Sequence, residues 1–321
     1  MHRRLTLAVL SLAFASVAFA KGDAVSLIPN DAVSVGVVRL ADLRNSPLSS
    51  TLLQQTDKMS VDGDAAKFLA DAGLQPTKDV DVLVIATSPR TNLGNDAEVL
   101  IAAEGRFNVE RLTKALVSRG AVKKNGYFTL PEKGNSEERE HNGAVAFPDA
   151  HLALIGSESA VIEALAVRAT GGTTFMTASG LGQEIARIDP HASAYAVFDV
   201  ARAARLAHGP HISSTTPPAT ALASALKSVS TVAVWATDSG DSLKLGGFGI
   251  ARDAETLQLL EDTIRGALAA MRLAAQDKAP ELVSVLRKFD VSRTTDSVAI
   301  TGTLPAQTLK DFVAKQAQHT R

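Results

Sequence analysis

The chain has no cysteine in its 321 residues. That excludes disulfides, zinc–thiolate sites, iron–sulfur clusters, cysteine nucleophiles and bacterial-type lipid attachment to a cysteine. Aromatic residues are scarce, with one Trp and two Tyr, so stacking platforms for carbohydrate or single-stranded nucleic acid are poorly supplied. The formal charge of -1 excludes a generally basic nucleic-acid binder. No segment beyond the N-terminal region reaches the roughly 18 apolar residues of a membrane span. A P-loop, a G-x-G-x-x-G after a strand, H-E-x-x-H and a G-x-S-x-G elbow are all missing.

What is present begins with a leader. Arg3 and Arg4 precede an apolar run from Leu5 to Phe19, and Ala18-Phe19-Ala20 supplies the small residues that signal peptidase reads. Cleavage is expected after Ala20, placing the protein in the periplasm or outside the cell. The choice between general secretion and twin-arginine export stays open. Cleavage leaves 301 residues carrying a formal charge of -3, long enough to depend on packed cores in place of disulfides.

The mature chain resembles itself once over. Ala32–Leu40 matches Ala192–Val200, 160 residues on. Val82–Thr87 matches Val232–Thr237, 150 on, through a shared Ala-Thr ending. Strands Glu98–Gly105 and Ser242–Ile250 follow, each leading to a helix start, Asn108 in one and Asp253 in the other, 145 apart. Both residues are good N-caps. Val109, Leu112 and Leu116 form one apolar stripe; Leu257, Leu260, Ile264 and Leu268 form another. His151–Ser157 matches Ser297–Thr303, 146 on. Ser157 and Thr303 are expected to cap final helices carrying Val161, Ile162 and Leu165, and Leu309, Phe312 and Val313. Lys123-Lys124-Asn125-Gly126 is a tight-turn signal.

The expected fold is α+β. Two similar domains each hold a mainly antiparallel sheet with helices packed on one face, in a split βαβ or ferredoxin-like arrangement. The leader covers 1–20, the first repeat 21–170, a linker 171–185 with Phe175 and Met176 as anchors, and the second repeat 186–321.

Several pieces resemble a family of uncharacterised secreted bacterial proteins with a duplicated α+β domain. They are Ile28-Pro29-Asn30-Asp31-Ala32, Phe68 to Leu74 ahead of Asp79-Val80-Asp81, Glu104-Gly105-Arg106-Phe107, and Gly247 to Asp253. The resemblance implies export and duplication. It implies no catalytic residue.

The candidate chemistry is thin. Of the histidines His2, His141, His151, His191, His208, His211 and His319, only His208 and His211 are close, and Gly209-Pro210 between them argues for a solvated loop over a metal site. Ser224-Ala225-Leu226-Lys227 matches S-x-x-K but lacks its S-D-N and K-T-G companions. Asp62-Gly63-Asp64 opens like a calcium loop that never supplies its later ligands. Asp79 and Asp81 read as solvated. Arg106, Arg111, Lys114, Arg119, Lys123 and Lys124 read as the wet face of an amphipathic helix, and Gly246-Gly247-Phe248-Gly249 as a bulge or a close backbone approach. Glu132–Asn142 and His208–Pro218 are irregular excursions. Leu257–Ala275 is the most apolar helix, either buried against the neighbouring half or bordering a groove.

The sequence therefore points to a non-enzymatic extracytoplasmic binding or scaffold protein of the bacterial envelope. No catalytic, cofactor-binding or metal residue is assigned, and no nucleic-acid partner or membrane span after cleavage is expected. The expected partner is an envelope protein or an apolar small molecule. Two alternatives remain: a carrier of a lipid or other apolar ligand, and an envelope hydrolase assembled from Ser224, Lys227, Asp199 or His191. N-terminal sequencing of protein recovered from its exported pool should begin at Lys21; a start at Met1 would reject the leader reading.

Overall fold

A computed structural model describes residues 23–44, 46, 64–89, 97–130, 143–171, 175–178, 180–206, 229–276, 280–308 and 310. The leader, Glu132–Asn142, His208–Pro218, Ser224, Lys227, Leu309, Phe312 and Val313 lie outside these residues.

In chain order the elements are α1 (Asp23–Ser26), β1 (Ser34–Arg39), α2 (Leu40–Arg44), α3 (Asp64–Ala72), α4 (Pro76–Asp79), β2 (Val80–Pro89), β3 (Ala97–Gly105) and α5 (Val109–Val117). There follow β4 (Val122–Lys123), β5 (Phe128–Thr129), β6 (Gly143–Ala146), β7 (Leu152–Ser157), α6 (Glu158–Thr170), α7 (Phe175–Ala178) and α8 (Gly180–Ile185). The remainder is β8 (Ala194–Asp199), α9 (Val200–Leu206), β9 (Thr231–Asp238), β10 (Ser242–Ile250), α10 (Ala254–Gln276), α11 (Pro280–Leu286), β11 (Asp290–Arg293) and β12 (Ser297–Pro305).

The twelve strands form one sheet in the order β11-β12-β10-β9-β8-β1-β2-β3-β7-β6-β5-β4. Each pairing is antiparallel. Outward from the centre the order is β1-β2-β3-β7-β6 on one side and β8-β9-β10-β12-β11 on the other. In the second half β10, α10 and β11 run strand–helix–strand, with β12 antiparallel in the gap.

The two sides meet edge to edge at β1 and β8, with Gly36 opposite Ala196. The Asp199 amide donates to the Val33 carbonyl at 2.8 Å, and the Arg39 amide donates to the Ser193 carbonyl at 2.8 Å. Adding 160 to Val33 and Arg39 turns one bond into the other. The join thus has the self-complementary geometry of an isologous dimer interface within a single chain.

Strand register gives different offsets from those expected of the internal correspondence. The Val33 amide donates to the Thr87 carbonyl and the Ser193 amide to the Ala236 carbonyl, both at 2.8 Å. Thr87 therefore corresponds to Ala236, an offset of 149, one fewer than the shared Ala-Thr ending suggests. With that offset the core-facing Val84 and Ala86 map onto Ala233 and Trp235, and exposed Ile85 maps onto exposed Val234. The registers then require 146 for β3 against β10 and 145 for β7 against β12. A one-residue slip turns every side chain to the opposite face, so the Ala-Thr alignment placed core residues against surface residues.

Helices cover both faces of the sheet, not one. Leu152 and Leu154 face a front core shared with α1, α6, α7 and α8, whereas Ala153 between them faces a back core with α3 and α5. In the second half α10 and α11 cover the back through Leu257, Leu260, Leu268 and Val285. The reason is visible in β3 and β7. AEVLIAAEG and LALIGS are nearly continuous apolar runs, as strands buried on both faces require.

Local signals act as their chemistry dictates at several points. Asn108 Oδ1 accepts the Arg111 amide at 3.0 Å, and Asp253 Oδ1 accepts the Thr256 amide at 2.7 Å. The Lys124 amide donates to the Tyr127 carbonyl across Asn125-Gly126, with Gly126 at φ +86°. Ser157 takes the N-cap position of α6 but its Oγ makes no cap bond and has no partner, and Thr303 lies inside β12 and caps no helix. Asp79 and Asp81 are engaged: Asp79 Oδ2 accepts the Gln75 amide at 2.7 Å, and Asp81 pairs with Arg44 at 3.0 Å.

The described residues of the stretch joining the two sides are packed down. Phe175 is 0% exposed, and a Cβ on Gly182 would fall 2.4 Å from the Phe175 carbonyl oxygen. Phe175→Ala should cost about 3–5 kcal/mol in urea unfolding. Gly36→Ala, at the centre of the join, has no neighbouring atom nearer than 4.0 Å and should be neutral or stabilising by up to about 1 kcal/mol. A large loss from Gly36→Ala would contradict the register at the join.

Candidate functional site

The helix that follows β10 is built differently from its counterpart after β3. Helix α5 has 9 residues and α10 has 23. The buried stripe of α10 holds it to the back of the sheet, and its C-terminal turns continue to α11. Pro280 opens α11, where its missing N–H costs nothing. Arg272 Nε and Nη2 donate to the Leu286 carbonyl at 3.2 and 2.8 Å, satisfying a helix-terminal acceptor and tying α11 to α10.

Between these helices and the sheet lies an open cavity of about 460 Å³. Its floor is Leu245 of β10 and Leu304 of β12; Met271, Ala274 and Ala275 of α10 form one wall. Leu282, Val285 and Leu286 of α11 form the other, continued by Phe289. Phe289 lies against Gly302, where a Cβ would come 2.5 Å from its ring. Glycine there lets the ring settle onto the strand. Met271 at the rim is 45% exposed, and Leu273 beside it is 70% exposed.

No lining residue carries a side-chain nitrogen, oxygen or charge. Such a wall buries hydrocarbon at about 25 cal/mol per Å². It offers no base, nucleophile or oxyanion donor.

A second apolar feature crosses the centre of the back face. Cross-strand pairing sets Ile155, Ile101, Ile85, Gly36, Ala196 and Val234 in one row. Ile155, Ile85 and Val234 are 39%, 42% and 48% exposed, and Phe198 nearby is 41% exposed.

The residues considered for hydrolysis are not brought together where they are described. Asp199 Oδ1 accepts the Arg202 amide at 2.8 Å as a cap of α9, while His191 precedes the opposite end of β8. Ser224 and Lys227 are outside the described residues. His151 Nδ1 is 3.0 Å from the Gly105 carbonyl. Among the described residues no group of three His, Asp or Glu could hold a metal. The basic stretch is engaged piecemeal: Arg106 donates to the Lys78 carbonyl, and Arg119 pairs with Asp71 and lies over Phe68. Gly246 is a close approach, its missing Cβ position 2.2 Å from the Trp235 ring.

The most connected polar cluster is structural. Arg187 pairs with Glu184 and Asp296, donates to Ser297 Oγ, and lies over the Phe248 ring. The Thr294 hydroxyl, then Arg187, hold the Asp296 carboxyl below the usual aspartate range.

A groove was one of the two expectations for Leu257–Ala275, and Met271, Ala274 and Ala275 of that helix wall the cavity, whereas α11 was not expected. A signal existed: Leu282, Val285, Leu286 and Phe289 have i, i+3, i+4, i+7 spacing behind Pro280-Glu281.

No family model matches the chain, and no curated protein matches it. Among solved structures it is similar to three crystal forms of TP0453. Form I has a TM-score of 0.44 at 13% identity, covering 91% of this chain and 96% of that one. Form IV has 0.46 at 11% identity, covering 90% and 95%. Form III has 0.46 at 11% identity, covering 91% and 97%. These are distant likenesses.

The Asp296 carboxyl has a testable pH signature. A depressed folded value contributes stability above the ordinary aspartate value of about 3.9. That contribution is lost as pH falls through the folded value. Asp296→Asn should therefore destabilise at pH 7, with the difference from the parent chain shrinking in urea titrations as pH falls below the ordinary aspartate value. A difference independent of pH would show that the ionised carboxyl is not what matters.

Proposed function

We propose that this chain is a non-enzymatic extracytoplasmic binding protein of the bacterial envelope, made of two copies of one α+β unit, and that its second copy carries an apolar ligand between α10 and α11. The observation that carries this reading is the cavity wall, apolar at every lining residue. A catalytic site needs polar groups converging on a reacting atom, and this wall supplies none.

Two further observations support it. The leader pattern supports export. The shared strand order and the paired central hydrogen bonds support duplication. The cavity lies in the elements by which the halves differ, the long α10 and α11 in place of the short α5 and the β4–β5 hairpin. Specialisation of one copy on a common frame accounts for that placement. A scaffold role has one observation of its own in its favour, the exposed row through Ile85 and Val234.

A fluorescent apolar probe such as N-phenyl-1-naphthylamine should brighten on binding the full mature chain. Met271→Glu, at the rim, should weaken binding at least about tenfold, because a carboxylate at the mouth must be desolvated. Leu259→Glu is the control. Leu259 is 56% exposed on the same helix and does not line the cavity, so binding should be unchanged. Equal binding by both variants would place the ligand elsewhere.

A further inference from the structure

We infer that the C-terminal stretch of this same chain, through Leu309, Phe312 and Val313, docks into the cavity and competes there with the apolar ligand. The competition rests on the apolar-ligand reading above; the docking stands apart from it.

Connectivity brings the stretch to the site. Strand β12 contributes Leu304 to the floor and ends at Pro305. The Ala306 amide donates to the Asp241 carbonyl at 2.8 Å, and residues 306–308 are helical. Leu309 and residues 311–321 lie outside the described residues. Phe312 follows Leu304 by eight positions, a reach of about 12 Å as helix and up to about 28 Å extended. Leu309, Phe312 and Val313 have i, i+3, i+4 spacing, and Lys310, Asp311 and Lys315 fall outside that stripe. An apolar helical stripe entering an apolar groove is a standard mode of segment recognition.

The two faces of the sheet differ in what they offer such a stripe. On the back, no residue lining the cavity has a polar side chain, and Met271 and Leu273 are exposed at its rim. On the front, the first half places α6 over Leu152 and Leu154. With the offset of 145, Ser297 and Ala299 stand at those positions in β12, and Ser297 Oγ accepts from Arg187. Alternation from Phe248 puts Lys244 on the front with its partner Thr303, and Lys244 and Thr301 are exposed. Trp235 is already seated over Gly246 and beside Phe248. A stripe of Leu, Phe and Val laid on the front would therefore desolvate an ammonium and hydroxyls, whereas the cavity gives it hydrocarbon alone.

The chain has no cysteine, so Met271→Cys with Phe312→Cys gives the full mature chain a single thiol pair. Mild oxidation should cross-link that pair, seen as a mobility shift on a non-reducing gel. The cross-linked chain should lose binding of N-phenyl-1-naphthylamine, and reduction should restore it. Leu259→Cys with Phe312→Cys is the control. Leu259 lies on α10 twelve residues before Met271, about 18 Å along the helix, and should not cross-link. Phe312→Glu should release the stretch. If it is docked about nine-tenths of the time, apparent affinity for the probe should rise about tenfold on release. Absence of the 271–312 cross-link, or equal cross-linking of the control pair, would overturn the docking. Unchanged probe binding by the cross-linked chain, or no gain in Phe312→Glu, would overturn the competition. Failure of both the parent chain and Phe312→Glu to bind the probe would overturn the apolar-ligand reading and with it the competition, and the cross-link alone would then decide the docking.

Discussion

The backbone pairing of β1 with β8 is the constraint on which the rest of the molecule depends. Each half, taken alone, would end in an edge strand rich in valine and alanine, with a row of unpaired amides and carbonyls. Such an edge is a template for aggregation. Pairing the two edges removes both at once and makes one continuous sheet. The residues at the centre suit this, since Gly36 and Ala196 place almost no side-chain bulk where the sides meet. With the strands fixed, the front core closes over the join: Val35, Val37, Tyr195 and Val197 belong to one cluster with α1, α6, α7 and α8.

The strand order outward from the join is the same on both sides, and the two ends of the sheet differ. After β3 the chain makes a short helix and the β4–β5 hairpin, whose Phe128 packs with Leu116, Ala121 and Val145. After β10 it makes a helix more than twice as long and then α11, which packs less completely on β10 and β12 and leaves the cavity. Two glycines matter in this region. Gly246 admits the Trp235 ring on the front, and Gly302 admits Phe289 on the back. The same strand order thus carries a filled end and an open end.

Much of the secondary structure was legible because its causes are local. Asn108 and Asp253 cap helices as their side-chain oxygens allow, and Asn125-Gly126 turns a hairpin. Other readings failed for identifiable reasons. The Ala-Thr match misled by one residue because apolar strands resemble one another in any register, and only the facing strand discriminates. Ser157 takes the N-cap position before α6, but its hydroxyl makes no cap bond. Helices on one face were expected, although β3 and β7 were already apolar on both sides. The site was legible only in part: a groove along Leu257–Ala275 was one of two expectations, while α11 was not among the expected elements.

By itself the sequence determined the absence of sulfur chemistry and the alternation of strands and helices, which depend on composition or on residues a few positions apart; a leader and two similar halves are expectations it raises. Tertiary structure decided that the two sides meet by strand edges and that an apolar cavity opens at one end. Those outcomes join Gly36 to Ala196, and Leu245 to Met271 and Leu304. Contacts between residues so distant along the chain leave no period or spacing in the sequence, because they arise only when packed surfaces choose their partners.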